Sequence, residues 1–288
     1  MKSLQESLES NLFVITAEVC PPKGSDVSQF IEKALAIKER VNAVNVTDNQ
    51  RAIMRFGSLG ASIMLLQNQI EPIYQLTCRD RNRIALQSDL LSASAFNIKN
   101  VLLLTGDHVS AGDHKEARPV FDLDSVQLIN ITSGLNRGVN ANNKEISGKT
   151  SFFIGASVNP GSNPLEPELL TFEKKVNAGA RFFQTQAVYD IDKFKQFMDL
   201  VKGSHAYIIA GILVLKSAKM ARFLNDNVAG VNVPQNLIDE LENTNDPLQK
   251  GIEIAAKQIQ EMKGICHGVH IMTIGQEDII NNILDRVD

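Results

Sequence analysis

Polar side chains that can transfer a proton or bind a heterocycle end several short apolar runs of this sequence. Glu18 closes the run FVITAE, Asp107 follows VLLLTG, and Gln186 closes FFQTQ. Apolar neighbours disfavour the charged form of a carboxyl group, so Glu18 is suited to act as a general acid. The amide of Gln186 donates and accepts together, which suits recognition of a heterocycle edge. These three residues are the first candidates for a site.

Each candidate also has a purely structural interpretation. Glu18 could cap a loop amide or pair with a lysine, and Asp107 could be an ordinary turn aspartate after a strand. Gln186 could be a core amide whose hydrogen bonds are satisfied internally. The choice depends on whether the surrounding elements bring the three residues together.

The elements follow an alternating pattern that predicts repeated βα units and a parallel sheet. The predicted strands are 13–18, 43–47, 72–78, 99–105, 152–158, 181–186, 206–212 and 268–272. The predicted helices are 26–40, 58–69, 81–96, 122–135, 164–178, 190–202, 216–225 and 276–286, with extra helices at 234–241 and 246–263. Eight units without a linker predict an α/β fold, a (β/α)8 TIM barrel that occupies residues 1–288 as a single catalytic domain.

A barrel of this kind places its active site at the carboxyl ends of the strands. Besides the three candidates, these ends carry Thr47 with Asp48, Gln75 with Thr77, Ser157 with Asn159, Lys216 and Thr273. The predicted cavity is therefore lined by hydrogen-bonding groups and carboxylates, with no Ser/His/Asp or Cys/His set.

Composition narrows the classes of function. Hydrophobic residues make up 43% of the 288 residues and the formal net charge is −4, which disfavours nucleic acid as a partner and favours a small molecule. Three separated cysteines and the absence of any apolar span of about 20 residues predict a cytoplasmic protein without membrane insertion. The loop GDHVSAGDH lacks metal-ligand spacing, and we expect no metal.

Nucleotide-binding signatures are also missing, since neither GxGxxG nor GxxxxGK[ST] occurs. Arg79, Arg81 and Arg83 form a basic cluster that could meet a phosphate-bearing cofactor. A solvated helix start with Asp80 as the ionic partner explains the cluster equally well.

Six motifs in order resemble the methylenetetrahydrofolate reductase family. They are EVCPPKG, NVTDNQR, QLTCRDRNR, LLLTGDH, FFQTQ and GVHIM, and the similarity runs from Glu18 to the last helix. The resemblance is strongest to the acetogen-type FAD-containing catalytic subunit, in which a second protein accompanies the reductase. It implies reduction of 5,10-methylenetetrahydrofolate to 5-methyltetrahydrofolate, with FAD as the hydride carrier.

The resemblance also assigns roles to residues. It implies that Glu18 is the general acid that assists opening of the folate ring, that Asp107 is catalytic and contacts the pterin, and that Gln186 and Gln276 bind substrate. The positions that match the family's FAD contacts are Thr47, Gln75, Thr105, Gly106, Asp107, Asp122, Leu123, Ser157, Asn163, Glu168 and Lys175.

Several positions depart from the family pattern. Gln75 and Asn163 replace histidines, and Thr105 replaces an arginine, so we expect Arg81 or its neighbours Arg79 and Arg83 to supply charge near the phosphates. No equivalent of the folate-stacking aromatic occurs at 213–216, and Gln276 stands where the family has an arginine.

Two other functions stay open at this stage. A flavin-free barrel that binds methyltetrahydrofolate for methyl transfer would share the fold, and an electron-relay subunit would be active only with a partner. The electron donor could be NAD(P)H, ferredoxin or a partner subunit. We expect a homo-oligomer or a heteromeric complex with a second reductase subunit.

Overall fold

A computed structural model of the chain describes residues 2–287. Eight parallel strands form a closed barrel in sequence order, β1 to β8, and β8 pairs with β1. The strands are β1 Val14–Val19, β2 Ala43–Val46, β3 Pro72–Thr77, β4 Asn100–Leu104, β5 Phe153–Val158, β6 Phe182–Ala187, β7 Tyr207–Leu213 and β8 Gly268–Met272. The predicted fold class is confirmed, and each strand end lies within one residue of its prediction.

Helices connect the strands on the outside of the barrel. They are α1 Leu4–Glu9, α2 Ser28–Ile37, α3 Ser58–Gln67, α4 Arg83–Ala95, α5 Ser125–Asn136, α6 Glu166–Ala178, α7 Ile191–Val201, α8 Ala218–Asn227, α9 Gln235–Glu242, α10 Pro247–Met262 and α11 Ile279–Leu284. The sequence analysis did not predict α1. No helix within residues 2–287 has the length and apolar character needed to cross a bilayer.

Side chains along each strand point alternately outward and inward, which divides the core into two parts. Outward-facing residues such as Ala17, Val44 and Val101 pack against the helices. Inward-facing residues at the amino ends form a separate apolar cluster inside the barrel: Val14, Ala43, Ile73, Leu102, Phe153, Phe182 and Ile209. Leu4 and Leu8 of α1 belong to the same cluster, so α1 closes the amino end of the barrel. Polar residues are left to the carboxyl end.

The loops at the carboxyl end dock on one another through Asp113. Its carboxylate accepts hydrogen bonds from Lys23 Nζ at 3.3 Å and from the Met54 backbone N–H at 3.3 Å. Beside it, a Cβ added to Gly112 would lie 1.9 Å from the carbonyl oxygen of Ala52, so only glycine allows this approach. The loops after β1, β2 and β4 therefore form one connected rim.

Candidate active site

A polar cavity of about 490 Å³ opens at the carboxyl end of the barrel. The volume lies in the range of small-molecule sites. Predicted strand-end and site residues that line it are Glu18, Asp48, Gln75, Thr77, Thr105, Gly106, Asp107, Ser157, Asn159, Glu168, Lys175 and Gln186. Arg79 of the basic cluster lines it as well. Lining residues for which the sequence analysis proposed no role include Gln50, Arg51, Gln184 and His270.

Glu18 is a buried carboxyl group in the cavity wall. Its side chain is 6% exposed, and burial raises its pKa to about 7. Gln50 Nε2 donates to Glu18 Oε1 at 3.2 Å, and the Cys20 thiol lies 3.6 Å from the same oxygen. These contacts fix the orientation of the carboxyl group but do not offset its desolvation. Near neutral pH the group therefore carries a proton for a substantial fraction of the time.

His270 lies beside Glu18 at the floor of the cavity. Its Nε2 is 4.0 Å from Glu18 Oε2, and its Nδ1 is 3.1 Å from Thr16 Oγ1. Burial lowers the pKa of His270 to about 3, so the ring is neutral at physiological pH. A neutral ring does not hold Glu18 in its ionised form, and the pair can keep the acid protonated.

A layer of amides supports this pair from below. Gln184 Nε2 donates to Thr16 Oγ1 at 3.3 Å, and Gln184 and Asn45 exchange two hydrogen bonds at 2.7 and 3.0 Å. All three residues are at most 4% exposed. The sequence analysis missed them because they lie inside apolar runs instead of ending them. Each could have been found in the sequence because it lies two residues before a polar residue that ends the same run, as Thr16 does before Glu18 and Gln184 before Gln186.

Gln186 reaches the cavity from an irregular part of β6. The register between β6 and β7 shifts between Gln184 and Ala187, which is typical of a bulge that changes the direction of a side chain. Thr185 Oγ1 donates to the backbone carbonyl of Gln186 at 2.6 Å. Both Gln184 and Gln186 consequently line the cavity.

The segment Thr105–Asp107 forms the wall after β4. Gly106 has a φ of +91°, and an added Cβ would lie 3.1 Å from Thr77 Cβ and 3.2 Å from Arg79 Cβ. Glycine is therefore required both for its backbone conformation and for the close packing. Asp107 follows directly, and its exposed side chain lines the cavity.

Lys175 supplies a buried cation to the cavity wall at the end of β5. It is 7% exposed, its Nζ donates to the Ser157 carbonyl at 2.7 Å, and burial lowers its pKa. Glu168 lines the same wall, and its Oε1 accepts from the Asn159 backbone N–H at 2.8 Å. An ammonium group has three donors, so Lys175 keeps capacity for an acceptor on a bound ligand.

The arginine cluster is engaged in ion pairs. Arg79 binds Asp80 through Nη2 at 2.7 Å, and Arg83 binds Asp122 through Nε at 2.8 Å. Arg81 binds the buried Asp48 at 2.8 Å. The structural alternative, a solvated helix start with Asp80 as the ionic partner, holds only in part: Arg79 pairs with Asp80 but is 2% exposed, and the other two arginines pair with other carboxylates.

The structure does not bring several predicted residues into the cavity lining. Arg81 is held between Asp48 and Asp89, and Asp122 is held by Arg83. Leu123 is a core residue, 4% exposed, and Asn163 precedes a cis proline in the loop after β5. The remaining four lie around the rim or beneath it: Thr47 and Thr273 are 1% exposed, Lys216 donates to the Ile274 carbonyl, and the buried Gln276 Oε1 has no hydrogen-bond partner within residues 2–287.

A closed parallel barrel with an acid-bearing cavity at the carboxyl ends of its strands is the architecture of the (β/α)8-barrel enzymes. Residues 3–288 match the family model described as methylenetetrahydrofolate reductase. The chain therefore belongs to the methylenetetrahydrofolate reductase family, which confirms the resemblance seen in the sequence.

Relatives with this name are distant in sequence. Methylenetetrahydrofolate reductase 1 of Schizosaccharomyces pombe is 24% identical over an alignment of 236 residues that covers 76% of this chain and 36% of that protein. The probable methylenetetrahydrofolate reductase (NADPH) of Caenorhabditis elegans is 23% identical and covers 78% of this chain and 33% of that protein. This chain thus spans about a third of the length of those two relatives. The 5,10-methylenetetrahydrofolate reductase of Buchnera aphidicola is 24% identical and covers 98% of this chain and 94% of that protein.

Solved structures share the barrel. A protein from Clostridium thermocellum, described as binding two copies of 5-methyl-5,6,7,8-tetrahydrofolic acid, superposes with a TM-score of 0.69 at 18% identity and covers 99% of this chain and 97% of that chain. A 2,3-dimethylmalate lyase superposes with a TM-score of 0.51 at 9% identity, covering 94% of this chain and 81% of that chain. At these identities the likeness shows the fold.

Proposed function

We propose that this protein reduces 5,10-methylenetetrahydrofolate to 5-methyltetrahydrofolate with FAD as its cofactor and Glu18 as the general acid. The observation that carries the proposal is the buried Glu18, whose pKa burial raises to about 7, in the wall of a polar cavity in a chain of this family. A reductase of this substrate must protonate a ring nitrogen while the one-carbon unit receives hydride, and Glu18 is the residue proposed to give that proton.

The role of Glu18 follows from its surroundings. A general acid works best when its pKa lies near the operating pH, and burial raises the pKa of Glu18 to about 7. Gln50 holds one carboxyl oxygen at 3.2 Å, which leaves the other oxygen toward His270 and the cavity floor. Since His270 is neutral, it does not compete for the proton of Glu18 at physiological pH.

Asp107 and Gln186 are proposed to orient the pterin. Both line the cavity, and both carry acceptors that match the amino and amide edges of such a ring. Gln276 is proposed as a further substrate contact, because its buried side-chain oxygen has no protein partner between residues 2 and 287. It would have to turn toward the cavity, whose lining does not include it.

The cavity fits a flavin. Its volume of about 490 Å³ accommodates a planar ring system with the rest of the cofactor at the open mouth. The lining residues proposed to hold it are Gln75, Thr105, Gly106, Asp107, Ser157, Glu168 and Lys175. Further contacts are proposed at residues outside the lining: Thr47, Asp122, Leu123, Asn163 and Arg81. When bound, the flavin supplies hydride to the one-carbon unit.

The charge of Lys175 and the backbone at Gly106 support a flavin in this cavity. Among residues 2–287, the Lys175 ammonium has only the Ser157 carbonyl as a hydrogen-bond partner, so it can bind an acceptor of an anionic cofactor. Gly106 lets the backbone approach a planar ligand closely.

We propose a cytoplasmic enzyme that takes electrons from NAD(P)H, ferredoxin or a partner subunit, as a homo-oligomer or together with a second reductase subunit.

The test uses the purified full chain. We expect near-equimolar FAD and formation of 5-methyltetrahydrofolate from 5,10-methylenetetrahydrofolate under anaerobic conditions with an artificial low-potential donor. Absence of bound flavin together with methyl transfer would favour the flavin-free alternative. Bound flavin that never reduces the folate without a second protein would favour the electron-relay alternative.

A further inference from the structure

One guanidinium at the cavity lacks a protein partner among residues 2–287. Arg79 is bound by Asp80 and by two backbone carbonyls, and Arg81 is bound by Asp48 and Asp89. Arg51 also lines the cavity, but its exposed side chain makes no hydrogen bond or ion pair in the part of the chain that the structure describes. Its charge is therefore available to a ligand.

The backbone around Arg51 adopts an unfavourable conformation. Asn49, Arg51 and Ala52 have φ values of +46°, +57° and +55°. Residues other than glycine rarely adopt this region, and clusters of such residues are typical of functional sites in which the surrounding structure holds them. A single residue of this kind would be unremarkable in a loop, but three of four consecutive positions require a specific set of supports.

Those supports are present on both sides of the loop. Asn49 Oδ1 accepts from the Arg55 backbone N–H at 2.9 Å, and Arg79 Nη2 donates to the Asn49 carbonyl at 3.1 Å. The Ala52 carbonyl packs on Gly112, where a Cβ would lie 1.9 Å away. The loop that fixes Arg51 is thus tied to β3 and to the loop after β4.

The same loop also contacts the proton donor. Gln50, the neighbour of Arg51, donates to Glu18 at 3.2 Å. Arg51 therefore belongs to the segment that positions Glu18, and both residues line the same cavity. An anionic group on a ligand bound next to Glu18 would find this guanidinium within the same wall.

We propose that Arg51 is a binding residue that recognises an oxyanion of the cavity's ligand. The inference rests on the proposed function, whose cofactor and substrate both carry oxyanions: the diphosphate of FAD and the glutamate carboxylates of the folate. The planar fork of a guanidinium binds either group through two parallel hydrogen bonds.

The test compares matched ligands with and without the oxyanion. Arg51→Asn removes the charge but keeps a residue that tolerates a positive φ, and Arg51→Lys keeps the charge but loses the fork. The control is Arg137→Asn, which changes an exposed arginine at the carboxyl end of α5. Dissociation constants are measured for FAD against riboflavin, and for 5-methyltetrahydrofolate against its pteroate analogue without glutamate. Thermal melts confirm that each variant is folded.

We expect Arg51→Asn to weaken binding of one oxyanion-bearing ligand about 10- to 100-fold, with a smaller loss for Arg51→Lys. A loss for FAD but not riboflavin assigns the diphosphate, and a loss for the folate but not its analogue assigns the glutamate carboxylates. Unchanged affinities, or equal losses for both members of each pair, would overturn the inference while the proposed function stands. Wild-type protein that binds neither flavin nor folate would overturn the proposed function and this inference with it.

Discussion

Replacing Glu18 with glutamine should stabilise the folded protein relative to the wild type, by an amount that grows as the pH rises. In the folded protein, burial raises the pKa of Glu18 to about 7 from the ordinary value of 4.5. Ionising the carboxyl group inside the barrel therefore costs stability, whereas ionising it in the unfolded chain does not. Glutamine has nearly the same shape and can still accept from Gln50, but it has no charge to bury.

The sign and size follow from proton linkage. Between pH 4.5 and 7 the folded state binds more protons at Glu18 than the unfolded state, so the stability of the wild type falls through this window. At 1.36 kcal/mol per pKa unit, the Glu18→Gln variant should gain about 2.5 kcal/mol relative to the wild type between pH 5 and pH 8. Above about pH 8 the difference should become constant.

Urea unfolding at pH 5, 6, 7 and 8 measures this difference for the wild type and Glu18→Gln. Glu173→Gln on the exposed face of α6 is the matched control, and its stability should follow that of the wild type at each pH. Parallel pH curves for Glu18→Gln and the wild type would refute the inference that the folded protein keeps Glu18 protonated.

Three further substitutions test how the barrel carries the site. Gly106→Ala should lower the free energy of unfolding by about 1–3 kcal/mol and weaken flavin binding, because the position has a positive φ and an added Cβ would crowd Thr77 and Arg79. Gly24→Ala should change little, and thermal melts and flavin titration check both variants. Arg81→Ala should cost about 3–5 kcal/mol in urea unfolding because it leaves the carboxylate of Asp48 buried without its ionic partner, and unchanged stability would contradict this. Leu8→Ala should cost about 2–5 kcal/mol by opening the amino end of the barrel, with near-normal turnover in the folded fraction; a loss of turnover without a loss of stability would contradict the structural role of α1.

The strands were predictable because each is a continuous apolar run. All eight observed strands match their runs, and most of the polar residues that end those runs, such as Glu18 and Asp107, line one cavity. Both faces of a barrel strand are covered, which gives sequence runs that stand out from the helices and loops. Helix α1 was not predictable in the same way because six residues are too few to establish a helical period.

The partners of charged groups could not be predicted. Arg81 and Asp48 lie 33 residues apart and meet only because β2 and β3 are neighbours in the barrel. The charge pattern suggested a phosphate site at Arg81, but the structure pairs this arginine with carboxylates. Arg51 lines the cavity without a protein partner among residues 2–287, and it lies in a loop whose backbone conformation has no sequence signal.

The buried amide layer was missed for a different reason. Asn45 and Gln184 lie inside apolar runs, where the sequence analysis looked only at the ends. Polar residues at every second position of such a run indicate that the inward face of the strand becomes polar toward its carboxyl end. This spacing would have identified Thr16 as well, because Glu18 follows it by two residues.

The most direct measurement is anaerobic stopped-flow of the Glu18→Gln variant with its flavin bound. We expect the flavin to be reduced by an artificial donor at the wild-type rate, and its reoxidation by 5,10-methylenetetrahydrofolate to be slowed about 10²- to 10⁴-fold. Reoxidation by the folate at the wild-type rate would contradict the assignment of Glu18 as the acid that gives the substrate its proton.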